Sequence, residues 1–246
     1  VDKAESDEKN ARAINAEGPA KLAGLATELS VPFIQLSTDY VFDGTKHSPY
    51  LESDKANPLS VYGETKLAGE LAIAAATADY AILRTSWVYS PFGTNFLKTM
   101  LRAGVGRAEL RIVDDQFGNP TSALDLADGI IKVVGNLVRD PDDQSLRGLF
   151  HMTGGGEASR AELAIAIFKA SAALGGPDPA VIPIKSADYS TAAKRPANSC
   201  LSNDKLQRRH GISLPHWRRS TDAMVRRLVA ENSDPPGHQD RGRTAA

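Results

Sequence analysis

Apolar residues recur at helical spacing through Ile14, Gly18, Leu22, Leu25 and Leu29, which predicts a helix over residues 10–29 carrying one apolar stripe. The short run Val31-Pro32-Phe33-Ile34-Gln35-Leu36-Ser37 reads as a buried parallel strand. It opens into a polar loop rich in Gly, Pro, Ser and Asp, from Thr38 to Pro58. Ser60 then caps a helix running to about Thr77, with Leu67, Leu71, Ala74 and Ala78 on one face. Tyr80–Ser86 makes a second buried strand. Helix, strand, helix, strand over the first ninety residues indicates an α/β fold built on a doubly wound parallel sheet, with its loops gathered at the carboxyl ends of the strands.

Beyond that point the pattern loosens. It predicts a helix over 95–107, a strand over 109–113, and a helix marked by Ala127, Ile130, Ile131, Val134, Leu137 and Val138. A strand over 148–153, a helix through Leu163, Ile167, Ala170 and Leu174, a strand over 181–184 and a last helix over 216–229 follow. Residues 1–108 are expected to form a partial Rossmann-like domain. Residues 109–230 are expected to form mainly a smaller α/β substrate-binding lobe, with some segments returning to the first domain. Residues 231–246, with two prolines, two glycines and many charges, read as a disordered tail.

Composition narrows the function. A net charge of −1 gives no global field for nucleic acid or an anionic membrane. No apolar run approaches the ~20 residues of a membrane span. The single cysteine, Cys200, rules out an intramolecular disulfide and fits a reducing cytoplasm. The five histidines show no metal-ligand spacing, so no metal site is expected.

The strongest local signal is Tyr62-Gly63-Glu64-Thr65-Lys66. Four residues apart at the start of a helix, Tyr62 and Lys66 share a face. A phenol titrates near ~10, and a neighbouring ammonium lowers that value toward usable acid–base chemistry. Upstream, a strand ends in Ser37-Thr38-Asp39-Tyr40, placing Thr38 where an open α/β sheet binds its ligand. A hydroxyl there can hold a carbonyl oxygen while Tyr62 delivers a proton. Taken alone, Tyr-x-x-x-Lys occurs by chance in many helices, and Ser-Thr-Asp can simply begin a turn.

The two motifs together, with Leu83-Arg84-Thr85-Ser86-Trp87-Val88-Tyr89, Asp115-Gln116-Phe117-Gly118-Asn119-Pro120-Thr121 and Arg195-Pro196-Ala197-Asn198-Ser199, resemble the dTDP-4-dehydrorhamnose reductases. That family belongs to the extended short-chain dehydrogenase/reductase superfamily, and the resemblance covers residues 1 to about 230. It implies NADPH or NADH as cofactor and a dTDP-sugar as substrate, with a homodimer as the expected assembly. It implies Thr38, Tyr62 and Lys66 as the catalytic set: Tyr62 protonates the sugar C4 oxygen, and Lys66 lowers the Tyr62 pKa and binds the nicotinamide ribose. Asp39 and Trp87 match positions that contact the deoxysugar, the indole offering a flat apolar face and an N–H. Asn119 and Arg195 are softer substrate-binding candidates. The guanidinium of Arg195 suits either a diphosphate or a surface salt bridge.

Two departures bear on this. Members of the family open with a strand and a Gly-rich turn that seats the cofactor pyrophosphate. Nothing like it precedes residue 10, so the chain is expected to lack roughly 60–70 residues of the nucleotide-binding fold and to expose an unpaired sheet edge. The loop Thr153-Gly154-Gly155-Gly156-Glu157 comes late and matches a substrate-lobe loop instead. The competing readings are a sugar-nucleotide dehydratase or epimerase and a non-catalytic regulatory subunit. Dehydratases carry Asp-Glu after the threonine where this chain has Asp39-Tyr40; a regulatory subunit has no need of Tyr62 and Lys66.

Overall fold

The computed structural model describes residues 1–189 and 191–233. Helix α1 (Glu8–Arg12), capped by the Asp7 side chain, runs through a π-helical turn (Ala13–Glu17) into α2 (Gly18–Glu28). Strand β1 (Phe33–Thr38) follows, then α3 (Val61–Ala76), whose first turn is capped by the Ser60 hydroxyl accepting the Gly63 amide. The expected helix is present, but its apolar stripe is not the buried face. Ile14, Leu22, Leu25 and Leu29 are 64%, 57%, 52% and 73% exposed, whereas Ala16, Ala23 and Ala26 are buried. Close helix packing explains the inversion. A Cβ on Gly69 of α3 would stand 2.0 Å from the Asn15 carbonyl oxygen, so only small residues fit the contact.

Strand β2 (Tyr80–Thr85) leads through β3 (Val88–Tyr89) to α4 (Phe96–Gly104), β4 (Glu109–Val113), β5 (Phe117–Gly118), β6 (Thr121–Ser122) and α5 (Ala123–Arg139). Then come β7 (Gly148–His151), β8 (Ala158–Ser159), α6 (Arg160–Ala172), β9 (Ala180–Ile184), α7 (Asp204–His210) and α8 (Trp217–Ser233). Helix α7 and the two-residue strands carry too few residues to show a period, and the sequence pattern passes over them. The tail expected from 231 lies outside the described residues, except for 231–233, which continue α8.

The main sheet is parallel, in the order β1-β2-β7, with Phe33 opposite Tyr80 and Thr38 opposite Thr85. Among the described residues the other edge of β1 pairs with no strand. Alternation along β2 sends Ala81 and Leu83 into a core with Leu126, Val133 and Leu137 of α5, and Ile82 into one with Ile73 of α3 and Ala23 of α2. A separate core joins Leu97, Phe168, Trp217 and Val225 beneath the parallel pair β4-β9. Two small pairs, β3-β6 and β5-β8, stitch the segment after β2 to that second layer.

Candidate active site

The sheet delivers Thr38 to the carboxyl end of β1, where its backbone is extended and its side chain is buried. Its hydroxyl donates to Asp39 Oδ1 at 2.9 Å and accepts the Tyr40 amide at 3.2 Å. Asp39 is buried behind it and also accepts from Ser86 Oγ at 2.8 Å. Burial pushes the Asp39 carboxyl above the ordinary carboxylate range, against the pull of hydrogen bonds from Ser199, Ser86 and Thr38.

Helix α3 brings Tyr62 to the same place. A Cβ on Gly63 would stand 2.2 Å from the Tyr40 carbonyl oxygen, so a glycine after the tyrosine lets the helix start sit against the strand end. The Tyr62 ring meets Tyr40 edge-on, with centroids 5.8 Å apart. Burial raises the Tyr62 phenol above its usual value, and the Thr38 side chain, hydrogen-bonded to it, acts the other way. The expected lowering by Lys66 is absent. The Lys66 ammonium donates to the Leu36 carbonyl oxygen at 2.6 Å on β1, and desolvation of the phenol prevails. Burial holds Lys66 itself below the ordinary lysine value, opposed by Glu70.

Trp87 follows β2 in a left-handed backbone conformation, φ 45°, uncommon for a bulky residue. One face of its indole is covered by the Arg160 guanidinium, 3.5 Å from the ring centroid, and Gly118 abuts the ring at Cε2 and Nε1. The open apolar face expected of Trp87 is therefore partly occupied. Arg160 went unnoticed in the sequence, although it opens α6, where the helix dipole disfavours a cation. It also hydrogen-bonds Tyr40, and burial draws its pKa down to about 10.

The softer candidates border this cluster: the Arg195 charge acts on both Tyr40 and Arg160, and Asn119 follows Gly118, which abuts Trp87. Asn119 donates to the Gly156 carbonyl at 2.8 Å and accepts the Leu201 amide at 2.7 Å, so both ends of its amide hold backbone. Arg195 pairs with Asp2 at 2.8 Å, the salt-bridge alternative of the sequence reading. The glycines of 154–156 accommodate neighbouring chain: Gly154 lies against the Pro120 carbonyl, and Gly155 bridges to His216. Burial pushes the Cys200 thiol up to about 12, so it is no nucleophile at neutral pH.

A parallel sheet with a threonine at a strand end, beside a helix that opens Tyr-x-x-x-Lys, is the arrangement that the resemblance to extended short-chain dehydrogenases/reductases implies. The comparisons narrow this. Residues 1–230 match the model of the RmlD substrate binding domain. The chain is 47% identical over 234 residues to the dTDP-4-dehydrorhamnose reductase of Sinorhizobium fredii, covering 95% of this chain and 79% of that enzyme. The crystal structure of a dTDP-4-dehydrorhamnose reductase from Clostridium acetobutylicum superposes with a TM-score of 0.82 at 38% identity, over 93% of this chain and 77% of that one. The Bacillus anthracis reductase, solved in complex with NADP, gives a TM-score of 0.83 at 32% identity, over 94% and 76% of the two chains. The chain belongs to the RmlD substrate-binding domain family.

Proposed function

We propose that this chain carries out the NAD(P)H-dependent reduction of the C4 ketone of dTDP-4-dehydrorhamnose to dTDP-L-rhamnose. The observation that carries the reading is the packing of the start of α3 against the end of β1, which sets Tyr62 beside Tyr40 and Thr38, with Lys66 one turn farther along α3 and bonded to Leu36 of β1. The donor set fits a nicotinamide ribose. Among the described residues Lys66 Nζ spends a single N–H, on Leu36, and keeps two for ribose hydroxyls. The cofactor supplies the hydride when bound.

The chain's own residues handle the proton. Burial keeps Tyr62 protonated at neutral pH, the form a reduction needs of its acid. Its proton passes from Oη to the sugar C4 oxygen. The phenolate left behind is favoured by Thr38, whose O–H turns from Asp39 to Tyr62 Oη. Asp39 works through Thr38, whose hydrogen bond it accepts. Trp87, braced by Arg160, is the aromatic contact of this reading for the deoxysugar. The division into a nucleotide-binding part over 1–108, to which some later segments return, and a substrate lobe mainly over 109–230, the pairing of two copies and a cytoplasmic site of action belong to the same proposal.

Calorimetric titration of residues 1–246 with dTDP-L-rhamnose, with and without NADPH, tests the binding half of the reading. Saturable binding of the sugar nucleotide, tightened or loosened by NADPH, is expected; no binding of dTDP-L-rhamnose overturns it.

A further inference from the structure

Glu70 lies one turn beyond Lys66 on α3 and two beyond Tyr62, so the three share a face of the helix. Its carboxylate is buried and takes two bonds from one guanidinium, Arg84 Nε at 2.9 Å and Nη2 at 2.5 Å. Arg84 belongs to β2, stands opposite Ser37 in the register of β1, and lies 5.0 Å from the centre of the Phe42 ring. The pair thus ties α3 to the strands one residue short of the level of Thr38.

An ion pair is a costly tie in such a place. Desolvation of both partners takes back most of their attraction, and an apolar pair of similar volume holds two elements together as well or better. What an apolar pair lacks is direction and charge. The two-point geometry fixes rotation and register together. The charge falls beside the one lysine of the site.

We propose that Glu70, braced by Arg84, is the positioning residue of the Tyr62–Lys66 pair, setting α3 in register on the strand ends and presenting a carboxylate to the Lys66 ammonium. The inference rests on the reductase reading of that pair. Glu70 is the charged group that supports the Lys66 ammonium against burial. The other groups around the pair are the Leu36 carbonyl from β1, Arg84 from β2, and Asp39 and Tyr40 beyond β1, which act on Tyr62.

The test follows the Lys66 side chain by NMR in residues 1–246 labelled with 13C-lysine, and needs neither cofactor nor sugar. Its titration midpoint is compared in the native chain, in Glu70→Gln and in the double variant Glu70→Leu/Arg84→Met, with urea unfolding run in parallel. The midpoint is expected to fall by about one pH unit in both variants, including the double variant, whose apolar pair restores stability. An unchanged midpoint in a folded double variant overturns the proposal and leaves the ion pair a strut. Failure of the reductase reading shows elsewhere, as absent turnover in the native chain, and leaves this shift untouched.

Discussion

At the scale of single residues, the gathering of Thr38, Tyr62 and Lys66 at one strand end was legible because it follows from spacing: four residues on a helix, and a strand end one loop upstream. Arg160 was not, since its partners Trp87, Asp39 and Tyr40 lie on other elements and come together only through the fold. The electrostatics were not legible either. A lysine four residues from a tyrosine predicts a lowered phenol, but burial and the Leu36 carbonyl decide otherwise. His151 shows the same force in a form that can be measured. It is fully buried at the end of β7, and burial, followed by the Arg84 charge, draws its pKa from 6.5 to about 3. Below 6.5 the unfolded chain takes a proton that the folded one refuses, so the stability is complete above that value and is lost as pH falls toward about 3. Between about pH 6 and pH 5 the native chain is expected to lose about 1.2 kcal/mol more than His151→Gln. Urea midpoints at the two pH values give the comparison, and equal losses would show that His151 does not titrate this way.

At the scale of elements, the alternation of helix and strand gave the parallel sheet because each run was long enough to show its period. The first helix turns its leucines outward for a physical reason: its close contact with α3 is made of alanine and glycine. The same close packing governs the start of α3. Gly63→Ala puts a methyl group into the Tyr40 carbonyl, so the helix must move and carry Tyr62 with it. A loss of about 1–3 kcal/mol is expected from such overpacking, with turnover falling together with stability. Ser60→Ala removes only the cap and is expected to cost about 1 kcal/mol while leaving turnover nearly intact. Urea unfolding and steady-state rates on the two variants separate the cases. Gly63→Ala with native activity would mean that the approach of α3 to the strand end does not set the site.

At the scale of the whole molecule, β1 offers an unpaired edge, with Ile14, Leu22, Leu25 and Leu29 exposed on α1–α2 and Ile131 and Val138 exposed on α5. Open strand edges and apolar patches of this kind drive association. Residues 1–246 on their own are expected to self-associate, with a melting temperature that rises with protein concentration. A cooperative melt of a monomer at the same temperature across a hundredfold dilution would contradict this. The central claim concerns the proton donor, and the most direct measurement is conversion of dTDP-4-dehydrorhamnose with NADPH, followed by product analysis, in the native chain and in Tyr62→Phe. The account predicts dTDP-L-rhamnose from the native chain and a loss of about 10²–10⁴-fold in Tyr62→Phe, with binding of dTDP-L-rhamnose largely kept. Equal rates from the two chains, or no product from a native chain that binds both ligands, would contradict it.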